Sequence, residues 1–388
     1  MSEFCIEHTV VLLYNIITEK LHKEKNMKHG IVCRETNGMF RYLGWPTVAK
    51  DENGVLYAVC SGHRLSHICP FGKNYMFKSY DEGETWSMPI IINDTVLDDR
   101  DAGICPLGNG KLLMTYFNHT RDFYIDGAEK FVSFWRDEKS ALMQKNLYMG
   151  AIDYLKNMPE SYNRYGSFIR ISEDGGNRFG EAIKVPVSSP HGPVKLADGR
   201  LLYLGKERGA GMEDKVGHIL AYDSTDDGKS WNFLYDLEFP DGCVAKNVHE
   251  PYAIELPDGT IIGAIRAQGD PVAYNFTIYL TYSYDGGKTW TKPMETGICG
   301  SPPHLLRHSS GAVILSYARR HAPMGECVRI SYDNGKTFGE ERIIDPAYVE
   351  DIGYPSSVEL SDGKILTVYY QRYADDPYCS VLYTIWEL

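Results

Sequence analysis

A tight turn followed by an apolar or alternating run of residues recurs along the whole chain. Six segments share this pattern: DENGVLYAV, LGNGKLLMTYF, LADGRLLYLG, LPDGTIIGAIR, HSSGAVILSYA and LSDGKILTVYY. Their turn glycines follow one another at intervals of 52 to 60 residues, with one interval of 89: Gly54, Gly110, Gly199, Gly259, Gly311 and Gly363. This period is near that of a four-stranded blade. We therefore predict an all-β fold, a six-bladed β-propeller.

A second series of turns interleaves with the first. Five phrases place Ser, Asp and Gly at fixed offsets and end in an aromatic residue: SYDEGETW, SEDGGNRF, STDDGKSW, SYDGGKTW and SYDNGKTF, which begin at residues 79, 172, 224, 283 and 331. Asp supplies turn hydrogen bonds, Gly supplies a positive φ, and the aromatic residue closes the hairpin by burying itself. Five copies in one register indicate a repeat architecture.

Two stretches lie outside the repeat. The long interval contains an insertion at about residues 118–165, and a segment of that length is typically functional or a lid. Residues 1–28 form a predicted N-terminal extension, either helical or upstream of the true start, and the propeller takes residues 29–388. The last strand, CSVLYTIWEL, is predicted to pair with the N-terminal stretch GIVCRE, because ring closure removes exposed sheet edges.

Charge and cysteine content narrow the class of protein. The net charge of −12 argues against nucleic acid or an anionic membrane as a partner. No apolar run approaches the roughly 18 to 20 residues of a membrane span, and no signal peptide is recognised. The nine cysteines are scattered without C-x-x-C spacing, which favours reduced thiols and a cytoplasmic location. No metal site or organic cofactor is predicted.

One position in each blade is predicted to face the central axis, where the innermost strands begin. The residues nine before each turn glycine are Trp45, Asp101, Pro190, Glu250, Pro302 and Tyr354. The residues seven after each glycine return to the same face: Ser61, Phe117, Lys206, Arg266, Ala318 and Tyr370. This register predicts that Arg266 lies beside Glu250 on one blade, with Tyr354 on the same face of the ring.

Tyr354 and Glu250 together have the chemistry of a nucleophile and its base. A tyrosine is a poor nucleophile at its ordinary pKa near 10, so it requires an adjacent carboxylate to accept its proton. A phenol suits an anomeric carbon that bears a carboxylate, because Asp or Glu would be repelled by that charge. The alternative for each of these residues is that it only lines a wet channel. His249 in VHEP is likewise either a substrate contact or a residue that only lines the channel.

These residues resemble the sialidase (neuraminidase) superfamily, six-bladed propellers marked by Asp-boxes. The five phrases look like Asp-boxes, and the resemblance covers roughly residues 36–388. HEPYAIELPDGTIIGAIR is similar to the sialidase segment that carries the activating glutamate and, sixteen residues on, one arginine of the carboxylate-binding triad. That similarity implies these roles for Glu250 and Arg266. GYPSSVELSDG resembles the segment of the catalytic tyrosine, which implies Tyr354 as the nucleophile.

The other two arginines of the triad have no positional match in this chain. Sialidases open their first blade with an R-I-P motif, whereas GWPTV has Gly44 at the place of the arginine. Arg41 and Arg64 are the nearest candidates to reach the same space. For the third arginine, SYARRHAPMGECVRIS offers Arg319 and Arg320 at the mouth of its blade.

The acid/base residue is a second departure from the sialidase pattern. The loop after the first blade carries an aspartate in sialidases, but SGHRLSHICPFGKN has none. His67 or His63 could protonate a leaving group near neutral pH. Asp101, in LDDRDAG, is the alternative from the next blade.

The predicted function is that of a retaining exo-glycosidase that cleaves terminal sialic acid or a related anionic sugar. Its expected partner is therefore a carbohydrate substrate. Two alternatives stay open. One is a carbohydrate-binding propeller without catalysis, and the other is a propeller glycosidase or lyase for a uronic acid or deoxy sugar. Retention of the Tyr354, Glu250 and Arg266 set favours an enzyme, since a scaffold does not require it.

Overall fold

The computed structural model describes residues 27–132, 141–209, 212–272 and 274–388. Within these residues, 25 strands form six sheets, which are the blades of a β-propeller. The fold predicted from the glycine period is thereby confirmed. The predicted extension, residues 1–28, lies outside the described residues except for Met27 and Lys28, and Lys28 already begins the first strand. Among the described residues, no helix has the length and apolar character needed to cross a membrane.

The first three blades follow one another along the chain. Blade 1 contains β2 (Tyr42–Lys50), β3 (Leu56–Arg64), β4 (Lys73–Ser79) and β5 (Ile90–Asn93). Blade 2 contains β6 (Arg100–Gly108), β7 (Lys111–Asn118), β8 (Gly166–Ser172) and β9 (Ile183–Val185). Blade 3 has an interrupted inner strand: β10 (Val187–Ser188) and β11 (Val194–Lys195) both pair with β12 (Leu201–Glu207), which is followed by β13 (Ile219–Ser224) and β14 (Asn232–Asp236).

The last three blades complete the ring. Blade 4 contains β15 (Val248–Glu255), β16 (Ile261–Ala267), β17 (Thr277–Ser283) and β18 (Met294–Cys299). Blade 5 contains β19 (His304–Arg307), β20 (Val313–Arg319), β21 (Gly325–Ser331) and β22 (Arg342–Pro346). Blade 6 contains β23 (Gly353–Glu359), β24 (Ile365–Arg372), β25 (Cys379–Trp386) and β1 (Lys28–Cys33). Strand β1 pairs antiparallel with β25, which confirms the predicted closure of the ring.

The five repeated phrases form the same turn, and blade 1 shows its hydrogen bonds. The Ser79 hydroxyl donates to Asp81 at 2.9 Å and accepts from the Gly83 amide at 2.9 Å. Asp81 also accepts from the amide of Thr85 at 2.9 Å and from its hydroxyl at 2.6 Å. Gly83 has φ +88, and a Cβ there would collide with Leu366 of blade 6. The glycine therefore allows the turn to abut the preceding blade.

The aromatic residue that ends each phrase packs into the core between its own blade and the preceding one. Trp86 packs in this way against the cluster shared by blades 6 and 1. The equivalent residues of the next four blades do the same: Phe179, Trp231, Trp290 and Phe338. Each copy of the repeat therefore stabilises the contact between two neighbouring blades, because it buries apolar surface there. Such burial is the dominant favourable contribution to folding.

The insertion between β7 and β8 contains two helices, α1 (Arg121–Val132) and α2 (Ala141–Asn157), followed by a short 3-10 helix at Glu160–Tyr162. The helices pack on each other through Tyr124, Phe131, Tyr148 and further apolar residues. The Tyr124 hydroxyl donates to Asp98 at 2.8 Å and so joins the insertion to blade 2. The described part of the insertion is thus folded and mainly helical.

Candidate active site

Four blades share an irregularity where their innermost strands begin. A bulge at this point places two residues of the inner strand opposite one residue of the return strand in blades 1, 2, 4 and 6. The residue after the paired position has a positive φ in each of these blades: Trp45 (54°), Asp101 (49°), Glu250 (49°) and Tyr354 (55°). A positive φ is uncommon outside glycine, and bulges re-aim side chains next to active sites. These are four of the six residues that the nine-residue register predicted.

Three predicted residues meet at the mouth of the ring. The Tyr354 hydroxyl, from blade 6, donates a short hydrogen bond to Oε1 of Glu250 on blade 4. The other carboxylate oxygen, Oε2, accepts from Nη1 of Arg266 at 2.5 Å. Arg266 comes from the neighbouring strand, where it pairs with His249, the residue just before Glu250. The arrangement gives a buried phenol with a charged acceptor for its proton.

Electrostatics set opposite protonation states for the phenol and the carboxylate. Burial raises the pKa of Glu250, but the charge of Arg266 and the hydrogen bond from Tyr354 outweigh it and lower that pKa to about 2. Burial and the nearby charges of Glu250 and Asp101 raise the pKa of Tyr354 well above its ordinary value. In the resting state Glu250 is therefore an anion and Tyr354 a neutral phenol.

A cavity of about 600 Å³ adjoins these residues, and its wall does not include Tyr354, Glu250 or Arg266 themselves. Its wall includes Tyr42, His67, Phe131, Phe276, Arg320 and Asp351. The Phe276 ring lies against two guanidinium groups, 4.6 Å from that of Arg266 and 5.5 Å from that of Arg320. Phe276 therefore links the cavity wall to the residues around Glu250.

Arg320 has hydrogen-bonding capacity that the described residues do not fill. Its Nε and Nη2 atoms are buried and have no hydrogen-bond partner there. Gly353 leaves room for this guanidinium, because a Cβ at that position would lie 3.0 Å from Nη2. Unpartnered buried donors are costly. Arg320 is therefore suited to bind an anionic group in the cavity.

The remaining predicted arginines are paired elsewhere. Arg319 forms an ion pair with Glu341 and donates to the carbonyl of Pro323 at 2.6 Å. Arg41 binds Asp376, with N–O distances of 2.7 and 2.8 Å. Both arginines are thus paired with carboxylates, and neither lines the cavity.

Arg64 is fully buried in an ion pair with Asp98 and lies 4.7 Å from the Trp45 ring. Gly44, at the place of the sialidase arginine, faces Tyr42, and a Cβ there would lie 3.1 Å from that ring. The first-blade part of the site is thus filled by aromatic side chains rather than by an arginine that reaches into the cavity.

The histidines and Asp101 occupy different parts of the site. His67 lines the cavity, whereas His63 stacks on Phe40 with a ring separation of 4.3 Å. His249 is held by Lys206, whose Nζ lies 3.1 Å from its Nδ1. Burial and the charge of Lys206 lower the pKa of His249 to about 4.

Asp101 is buried at the mouth of blade 2, and its Oδ1 has no hydrogen-bond partner among the described residues. Burial raises its pKa, although the charge of Arg100 opposes this. The site therefore contains two buried carboxyl groups, Glu250 and Asp101, whose pKa values move in opposite directions.

Several residues of the site were absent from the sequence prediction. Arg100 lies 4.1 Å from the Trp45 ring, and Arg208 lies 3.7 Å from the Phe117 ring. Asp351 contacts His67 at 3.0 Å from a different blade. Arg100 could have been found from its place beside Asp101 in LDDRDAG, but no local pattern marks the other two.

Solved structures with the same fold include three informative relatives. A protein of unknown function from Dyadobacter fermentans has a TM-score of 0.70 and 20% identity, and the match covers 94% of this chain and all of that one. The NanB sialidase from Streptococcus pneumoniae has a TM-score of 0.66 and 15% identity over 92% of this chain and 70% of that one. An α-L-arabinofuranosidase from Fusarium graminearum has a TM-score of 0.58 and 12% identity over 94% and 98%.

Comparison of the sequence with curated proteins gives no match. The sialidase-like propeller fold is shared with glycoside hydrolases, and at these identities the likeness shows the fold. A model of the BNR repeat-like domain matches residues 154–367, which is more than half of the chain. This protein therefore belongs to the BNR repeat-like domain family.

Proposed function

We propose that the protein is a retaining exo-glycosidase of the sialidase type, which cleaves a terminal anionic sugar, with sialic acid as the first candidate. The observation that carries this proposal is the hydrogen bond from the Tyr354 hydroxyl to Glu250, whose second oxygen is held by Arg266. A phenol beside an ionised carboxylate is the arrangement that nucleophilic attack by tyrosine requires. The shared fold with the NanB sialidase is consistent with the same chemistry.

Two arginines support an anionic substrate. Arg320 has two buried nitrogen atoms without a partner in the described residues, and Arg266 shares the Phe276 ring with it. Guanidinium groups bind carboxylates through paired hydrogen bonds. A sugar carboxylate that binds Arg266 also draws the guanidinium charge away from Glu250. Substrate binding therefore makes Glu250 a stronger base at the moment when Tyr354 must lose its proton.

The reaction has two steps. In the first, the Tyr354 oxygen bonds to the anomeric carbon and its proton passes to Glu250. The glycosidic bond breaks, its electron pair goes to the leaving oxygen, and a general acid gives that oxygen a proton. In the second, water bonds to the anomeric carbon and loses a proton to the same group, now acting as a general base. The bond to Tyr354 breaks, and the phenolate regains its proton from Glu250. Two inversions at the anomeric carbon give overall retention of configuration.

The test is hydrolysis of a fluorogenic sialoside by the wild type and by Tyr354→Phe. We expect the variant to lose activity by on the order of 10³-fold or more, because the nucleophilic oxygen is removed. A difluorinated sialosyl fluoride should label Tyr354 covalently, and peptide mass spectrometry locates the label. Labelling elsewhere, or a variant as active as the wild type, would exclude Tyr354 as the nucleophile.

Tyr317→Phe is the matched control. The Tyr317 hydroxyl donates to Glu341 at 2.6 Å, and Glu341 is also paired with Arg319, so the same three residue types meet away from the cavity. This variant removes an equivalent hydrogen bond and should keep its activity. Equal losses in both variants would indicate that the Tyr354 contact is structural.

A second candidate is a glycosidase for a different sugar. Gly44 stands where sialidases carry an arginine, and an arabinofuranosidase shares the fold. If the wild type is inert on sialosides, the wild type and Tyr354→Phe should both be screened on uronides and arabinofuranosides. A wild type that binds sugars but cleaves none would favour a carbohydrate-binding propeller.

A further inference from the structure

His67 lies in the loop between β3 and β4, yet its main chain is fixed by two arginines. Its carbonyl oxygen accepts hydrogen bonds from Nη2 of Arg64 at 3.1 Å and from Nη1 of Arg100 at 3.2 Å. Both guanidinium groups lie on the ring of Trp45, at 4.7 and 4.1 Å. Buried cations that hold a loop carbonyl fix the position of the residue that carries it. The two buried arginines therefore fix the position of the His67 main chain.

The His67 imidazole is oriented by a carboxylate. Its Nδ1 lies 3.0 Å from Oδ1 of Asp351 and 3.0 Å from the Tyr42 hydroxyl, which itself lies 3.1 Å from both oxygens of Asp351. Tyr370 also donates to Asp351, at 3.2 Å. Burial alone would raise the pKa of Asp351, but the charges of His67 and Arg320 outweigh burial and hold this pKa well below its ordinary value. The Asp351 carboxylate is therefore ionised.

These contacts determine which nitrogen of His67 is available for chemistry. Asp351 holds a proton on Nδ1, because a carboxylate beside a ring nitrogen fixes the tautomer. Nε2 makes no hydrogen bond within the described part of the chain. The side chain is 42% exposed and lines the cavity. Nε2 is therefore the atom that can exchange a proton with a bound molecule.

His67 and the nucleophile lie against the same aromatic ring. The Trp45 ring is 4.9 Å from the imidazole at an interplanar angle of 89°. It is 6.4 Å from the Tyr354 ring at 75°. His67 is also followed by Ile68, which packs against the helices of the insertion. A sugar attacked by Tyr354 would thus have its leaving group on the side of His67 and the insertion.

We propose that His67, oriented by Asp351, is the acid and base catalyst of the glycosidase reaction, so this inference rests on the proposed function. In the first step the glycosidic bond breaks, its electron pair goes to the leaving oxygen, and that oxygen takes the proton from Nε2 of the imidazolium. In the second step the neutral imidazole takes a proton from water. The water oxygen then bonds to the anomeric carbon as the bond to Tyr354 breaks.

The experiment compares His67→Ala with the wild type on two sialosides that differ in the leaving group. For a methyl sialoside, whose alkoxide requires protonation, kcat/KM should fall by about 10² to 10³-fold. For a nitrophenyl sialoside, kcat/KM should change by less than about ten-fold, because nitrophenolate leaves without a proton. Nitrophenolate should then appear in a burst, and added azide, which attacks without losing a proton, should restore kcat.

His218→Ala is the control. Nδ1 of His218 lies 2.9 Å from Oδ1 of Asp236, which reproduces the pair of His67 with Asp351 on blade 3. This variant should cleave both sialosides as the wild type does. Equal losses of His67→Ala on both sialosides, or no loss on either, would overturn the acid/base role while the proposed function stands. A wild type that cleaves neither sialoside would overturn both proposals.

Discussion

Within the described residues, tyrosine, glutamate and arginine meet in two places, and the two clusters differ at the phenolic oxygen. Tyr354, Glu250 and Arg266 form the mouth triplet, and Tyr317, Glu341 and Arg319 form the blade 5 triplet. In both, a phenol donates to one carboxylate oxygen and a guanidinium binds the other. Their charged side chains are similarly buried, with 11% and 13% exposed in the mouth triplet and 16% and 15% in the other.

The difference lies at the phenolic oxygen. In the blade 5 triplet, the Tyr317 oxygen also accepts a hydrogen bond from Nε of Arg329 at 3.0 Å, so one of its lone pairs is already used. The Tyr354 oxygen accepts none from the described residues, and the positive φ of Tyr354 belongs to a bulge at the strand mouth. Burial beside a carboxylate therefore does not distinguish a nucleophile. The proposed nucleophile, Tyr354, differs in that its oxygen accepts no hydrogen bond from the described residues.

The largest effect that tests this comparison is expected from Glu250→Gln. The amide cannot accept the Tyr354 proton as a carboxylate does, so kcat/KM for a sialoside should fall on the order of 10³-fold. Because the pKa of Glu250 is about 2, the wild-type carboxylate is ionised throughout the range from pH 5 to 8. The loss should therefore be the same at both ends of that range.

Glu341→Gln is the counterpart in the blade 5 triplet. It removes a carboxylate with the same two kinds of partner, so any loss of folding stability should be similar in the two variants, as thermal unfolding measures. Its activity should stay within about two-fold of the wild type, since Glu341 is no part of the proposed chemistry. A comparable loss of activity in Glu341→Gln would show that both triplets act through stability.

The mouth triplet could be predicted because its residues belong to the repeat. Each inner strand begins at a fixed distance from a turn glycine, so a count of nine residues back found Glu250 and Tyr354, and a count of seven forward found Arg266. The same count found Trp45 and Asp101, and the bulge with positive φ recurs at these positions. Strand registers repeat from blade to blade because each blade buries the same apolar faces.

The rest of the site depends on contacts that no repeat contains. Asp351 reaches His67 from a position 284 residues away, because the ring brings blade 6 beside blade 1. Arg319 and Arg320 are neighbours in sequence, yet one pairs with Glu341 and the other faces the cavity. The sequence left that choice open, because it depends on which carboxylates the fold places nearby.

A smaller effect is expected from Asp351→Asn. The imidazole of His67 remains but loses the anionic carboxylate that orients its ring. We therefore expect kcat/KM for the methyl sialoside to fall by about 10- to 100-fold, less than for His67→Ala. The nitrophenyl sialoside should be nearly unaffected.

Asp236→Asn, which changes the carboxylate beside His218, is the control for this prediction and should leave both sialosides unaffected. The readout is the ratio of kcat/KM for the two leaving groups. A ratio unchanged in Asp351→Asn would contradict a positioning role for Asp351, whatever the absolute rates.

The smallest effect concerns the helical insertion. Phe131, on α1, lines the cavity, whereas Phe123 of the same helix packs in the same apolar cluster without lining it. If the leaving group lies under the insertion, Phe131→Leu should raise KM by less than about ten-fold for a sialoside with a large apolar aglycone. It should not change KM for the methyl sialoside. Phe123→Leu, measured in parallel, should leave the KM of both sialosides unchanged. A KM increase for both sialosides in Phe131→Leu would instead indicate that the insertion binds the sialic acid itself.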